Sequence, residues 1–280
     1  MSITRVPGNV KAAAGCLLGS ALSLLACGLD PEGGLLSAEA KQIVHDQEDS
    51  EEVLSVGTAV AAAPTYVLSA QTVTLASAVA AQEALSTLAE PAGCLTVETS
   101  GNRVTYTLDG CTGPWGRHEV SGKQIATFSP GPDAGAFVID IETEGLTIDS
   151  APASYAATGT ITIEGEARTL EWSGSFSGQA ADGRNVEHDT SLTLTSPGDG
   201  TISVSGSSST RIGLRGIEVE IDDLTRNGPV GTCPEGTVTV RRKLGGLTVT
   251  LTFDGTREFV AKTSRGGRGT FESTCVPEGR

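Results

Sequence analysis

Leu247-Thr248-Val249-Thr250-Leu251-Thr252-Phe253 alternates an apolar side chain with threonine without a break. A period of two sends successive side chains to opposite faces of an extended chain, so this stretch predicts a strand with one apolar and one hydroxyl face. Gly245-Gly246 before it and Asp254-Gly255 after it are tight-turn signals. The same period recurs upstream in Val104 to Leu108, Phe137 to Glu142, Thr160 to Ile163, Leu192 to Leu194, Ile202 to Val204, Ile217 to Ile221 and Val238 to Val240. Asp109-Gly110, Pro130-Gly131, Glu144-Gly145, Glu164-Gly165, Asp182-Gly183, Pro197-Gly198, Asn227-Gly228 and Gly266-Gly267 punctuate them. About a dozen short strands joined by tight turns, with no helical crossover between them, predict an antiparallel meander over residues 93–280. Twist accumulates in so long a sheet and its edges invite aggregation, so curling into a barrel or half-barrel is the expected outcome.

Upstream the pattern is different. Residues 37–92 read as a helical segment, with Ser37 as cap, Ala38 to about Ala62 as one helix, and Thr65 or Tyr66 to about Ala89 as another. Pro64 separates the two and Pro91 with Gly93 stops the second. No charged residue occurs between Val53 and Gln82, which raises the thought of a membrane pair. Pro64, Gln71 and the many Ser and Thr residues make that a weak span, and an Ala-rich hairpin packed on the sheet is the expectation.

The first residues carry an address. Met1 to Lys11 has Arg5 and Lys11 and no acid, and an uncharged Ala/Leu-rich run follows to Leu25. That is the layout of an export signal over residues 1–26. Leu24-Leu25-Ala26-Cys27 resembles the lipobox of bacterial lipoproteins, which implies cleavage before Cys27 and acylation of its thiol. Residues 27–36, rich in glycine, then form a flexible tether. Gly28 stands where, by the sorting rule of many Gram-negative bacteria, an aspartate favours the inner membrane; its absence points to the outer membrane.

The chain holds 34 acidic and 19 basic residues, a formal charge of -15, and loss of Arg5 and Lys11 with the leader takes this to -17. Such a surface repels nucleic acid and anionic headgroups, and nucleic acid is excluded as a partner. Of six cysteines, Cys16 leaves with the leader and Cys27 takes lipid. Cys94, Cys111, Cys233 and Cys275 remain for an oxidising compartment. Four cysteines allow three connectivities, and proximity favours Cys94 with Cys111 and Cys233 with Cys275. Zinc fails on spacing, because no C-x-x-C occurs.

No constellation for catalysis stands out. His45, His118 and His188 are the only histidines, and none lies in a nucleophile elbow. Asp140 with Glu142, and Glu218 with Glu220 and Asp222, alternate on single strands and read as solvated faces. Glu218, Glu220, Asp222 and Asp223 carry charge enough for calcium, yet no calcium-loop motif fixes a geometry. Arg241-Arg242-Lys243 reads as a partner for these acids or a guard against edge pairing. Trp115, in Cys111-Thr112-Gly113-Pro114-Trp115-Gly116, sits on a turn as a candidate contact for glycan or protein.

The order of lipobox, Ala-rich segment, Gly93-Cys94, Asp109 to Gly116, Cys233-Pro234-Glu235-Gly236, Phe253-Asp254-Gly255 and Cys275 resembles uncharacterised predicted lipoproteins of Gram-negative bacteria. The likeness implies an envelope location and two disulfides, and no activity. The expectation is a non-enzymatic, lipid-anchored envelope protein with a structural or surface-contact role, no cofactor and no metal. A carrier of lipid or another hydrophobic ligand, using a groove between helices and sheet, is the alternative.

Overall fold

A computed structural model of the chain describes residues 91–112, 119–133, 135–179, 183–227 and 232–272. The leader, Cys27, the tether, the helical segment up to residue 90, His45, Trp115, His118 and Cys275 lie outside the described residues.

All the regular structure described is β. The strands are β1 (Leu95–Ser100), β2 (Arg103–Thr112), β3 (Glu119–Pro130), β4 (Ala136–Ile148), β5 (Ala151–Pro152), β6 (Ser154–Glu164) and β7 (Ala167–Gln179). They continue with β8 (Asn185–Ser196), β9 (Thr201–Ile212), β10 (Arg215–Asn227), β11 (Glu235–Arg242), β12 (Thr248–Asp254), β13 (Glu258–Thr263) and β14 (Arg268–Glu272). They form one antiparallel sheet in which every strand neighbours the next in sequence, except that β4 pairs with β6 and the two-residue β5 folds back on β4. The meander read from the alternation is therefore present, with strands longer than expected: β7 and β10 run 13 residues each, about 43 Å.

The sheet does not close into a barrel, which corrects one of the expected forms. With β5 set aside, 13 strands lie on the path, and an odd antiparallel path leaves β1 and β14 running in the same direction. Closure would need a parallel ladder, the weaker kind, between strands of only six and five residues. Exposed Glu98 on β1 and Arg268 on β14 place charge on the two edges, a device that discourages further pairing.

One face gathers the apolar residues into a single buried cluster. Ladder partners share a face, and one row runs Val104, Ala126, Ile141, Ala157, Gly174 across β2 to β7. It goes on through Thr190, Ser208, Val219, Val240 and Val249 across β8 to β12. At the far edge Phe253, Phe259 and Phe271 stack ring on ring across three strands, with centroids 5.0 and 5.6 Å apart. Each large side chain fully buried here contributes about 1.5–3 kcal/mol.

Asp109-Gly110 and Glu144-Gly145, read as turns in the sequence, are bulges inside β2 and β4. Gly110 and Gly145 have φ of 64° and 59°, the left-handed conformation that a glycine bulge and a tight turn both require. The extra residue restores the phase. Val104, Tyr106 and Leu108 are followed by Cys111 on the same buried face, and Ile139 and Ile141 by Leu146 and Ile148. That shift brings Cys111 to Cys94, and the two form a disulfide. Cys233 is buried and disulfide-bonded too.

Candidate functional site: a concave polar face

The opposite face of the sheet is built from the polar half of each alternation. One row crosses it as Thr127, Asp140, Thr158 and Ser173, then Ser191, Ser207, Glu220 and Thr239. A parallel row runs Glu142, Ala156, Ser175, Asp189, Ser209, Glu218 and Arg241. The face is concave and encloses about 1270 Å³ between β3 and β11.

The acids read in the sequence as separate strand faces meet here. Asp140 and Glu142 on β4 and Glu218, Glu220 and Asp222 on β10 line the same concavity, joined by Asp189 on β8. Five strand steps separate β4 from β10, about 24 Å along the sheet. Six carboxylates against the Arg241 guanidinium give the lining a formal charge of -5, and no aromatic ring is among its residues. Hydroxyls of Ser173, Ser175, Ser191, Ser207 and Ser209 floor the middle.

Few interactions tie the acids down. Thr158 Oγ1 donates to Asp140 Oδ1 at 2.8 Å. Arg241 reaches Glu220 at 3.4 Å and Lys243 reaches Glu218 at 3.1 Å, so the basic run does pair with the β10 acids. Arg103 spans β3 to meet Glu142 at 3.6 Å. All these partners are about half exposed, and such pairs contribute at most about 1 kcal/mol. The carboxylates therefore stay available to a partner.

His188 does not join them. It lies between Glu187 and Asp189 on β8, so the alternation turns it to the buried face, where it is 7% exposed. Its Nδ1 lies 2.9 Å from Thr210 Oγ1, and burial lowers its pKa to about 4, so it is neutral at ordinary pH. The acids of β10 follow one another along the strand, and among the described residues no three His, Cys, Asp or Glu side chains gather to hold a metal. The concavity thus offers charge and hydroxyls for binding.

Sequence reasoning missed Asp189 and the union of the two acid sets. The signal was present: in an antiparallel meander every residue out of phase with the apolar ones belongs to one common surface. No family model matches this chain, and no curated protein and no solved structure is found to match it.

Proposed function

We propose that the chain is a lipid-anchored, non-enzymatic protein of the cell envelope, on the outer membrane, and that its concave face holds a cationic segment of another protein. The anchor rests on the likeness of Leu24 to Cys27 to a lipobox. The union of six carboxylates from three strands in one concavity carries the binding role. A Lys- or Arg-rich chain laid across the strands meets carboxylates at both ends and serine hydroxyls between them, and complementary charge sets both capture rate and register. A glycan fits less well, because sugar recognition gains much from aromatic faces and the lining has none.

The carrier reading has one observation in its favour. Tyr106 Oη, Gln124 Nε2 and Ser208 Oγ are buried on the apolar face without hydrogen-bond partners among the described residues. A polar head in that place would satisfy them. The surface reading comes first because the large concavity lies on the polar side.

Fluorescence anisotropy with a labelled oligo-arginine peptide tests the proposal on the purified chain. Asp140→Asn with Asp189→Asn should weaken binding by up to about 25-fold at low salt and flatten its salt dependence, since each exposed charge contributes up to about 1 kcal/mol. Unchanged affinity in that double variant would remove the concave face as the site.

A further inference from the structure

The net charge of the chain conceals an asymmetry along the β9–β14 part of the sheet, whereas the β2–β3 and β4–β6 connections at the same end carry Glu119 and Asp149. Because the path is a meander, alternate turns lie at the same end. The turns of β9–β10, β11–β12 and β13–β14 share one end with Leu95, where the chain enters the sheet. Residues 211–216, 241–247 and 262–268, which build these three hairpin tips, contain eight Lys and Arg and no Asp or Glu. The opposite end is acidic: the hairpin segments 163–168, 196–202 and 253–259 hold five acids and two bases.

The basic end also carries the two exposed large apolar side chains among the described residues. Leu214, at the tip of β9–β10, is 92% exposed, and Leu244, at the tip of β11–β12, is 55% exposed. The two hairpins are neighbours, bonded through Lys243 N–H to the Gly216 carbonyl at 2.8 Å. Leu214, at the apex of the two-residue β9–β10 turn, and Leu244, in the four-residue β11–β12 turn, contribute nothing to the fold that a polar residue would not. Arg211, Arg241 and Lys243 pair with Glu187, Glu220 and Glu218; two leucines on neighbouring tips that also carry Arg and Lys still have the composition of a surface that seats apolar tips below the headgroups and cations among them.

We infer that this end of the sheet docks on the surface of an anionic lipid bilayer, with Leu214 and Leu244 inserted at the level of the upper acyl chains. Position supports the charge complementarity. The chain enters β1 at this end, where the disulfide between Cys94 and Cys111 pins the strand. The inference deepens the anchored reading, but the contact itself does not require a lipid on Cys27. Docked this way, the sheet stands with its acidic end away from the membrane and the concave face open to the side.

The test uses the full chain reconstituted in vesicles, in a Cys16→Ser background, with an environment-sensitive fluorophore on Leu214→Cys. Nitroxide groups near the top of the acyl chains should quench the label in vesicles containing phosphatidylglycerol, several-fold more than in pure phosphatidylcholine. The same label on Asp199→Cys, at the opposite end, should remain unquenched. Arg215→Gln with Arg265→Gln should lower the quenched fraction, since each basic residue near such a surface shifts the docking equilibrium by roughly fivefold. Equal quenching of the two labels, or no quenching at Leu214→Cys in anionic vesicles, would overturn the inference. In a Cys27→Ser chain, tip quenching that persists in anionic vesicles supports the docking surface even where the anchor reading fails, and tip quenching lost together with the lipid overturns it.

Discussion

Acid should unfold this protein partly through one histidine. His188 is 7% exposed on the apolar face, and its row neighbours are Phe176 on β7 and Thr210 on β9. The row continues to Ile217 and reaches a charged group only at Arg242 on β11, three strands away. Burial lowers its pKa from 6.5 to about 4. Between those values the unfolded chain takes up a proton that the folded chain refuses, so stability is complete above about pH 6.5 and is lost as pH falls toward 4. The full gap corresponds to roughly 3 kcal/mol, at 1.36 kcal/mol per pH unit. A comparison with His188→Gln, which keeps a donor for Thr210 and does not titrate, isolates the share of this histidine from that of every other group. Urea unfolding followed by circular dichroism should show the wild type losing about 2 kcal/mol more than the variant between pH ~7 and ~4.5. Parallel pH profiles for the two proteins would refute the burial argument.

Two further variants probe the frame. Cys94→Ala with Cys111→Ala opens a loop of 17 residues, and loop entropy sets the cost at about 3 kcal/mol in urea unfolding; a loss under about 1 kcal/mol would mean the unfolded chain is already ordered there. Gly206→Ala should cost about 2–4 kcal/mol, because φ is +143° and a Cβ would press on the Ser191 carbonyl oxygen across β8. A neutral result at that position would show that β8 and β9 can separate without penalty.

The candidate site was half legible. Asp140, Glu142, Glu218, Glu220 and Asp222 were readable as one-faced strand acids, because alternation alone places them. That they line one concavity depends on the register of five intervening ladders and on the curvature of the sheet, which no local window contains. The charge of the chain misled in the same way. A total of -15 argues against an anionic membrane, yet over β9–β14 the sign changes from one end of the sheet to the other. The chain visits the two ends in turn, so in this part of the sheet basic tips and acidic tips alternate along the sequence and separate only in space.

By itself the sequence determined the β class and the antiparallel meander, placed the residues of each alternating run on one face, and favoured Cys94 with Cys111 among three possible connectivities. These follow from short-range rules: a period of two, tight turns and loop length. Tertiary structure decided whether Asp109-Gly110 and Glu144-Gly145 are turns or bulges, since one left-handed glycine serves both and only the neighbouring ladder selects. It also decided that the sheet stays open, because the number of strands on the path fixes the relative direction of its edges. That number is a property of the whole chain, and no stretch of the sequence carries it.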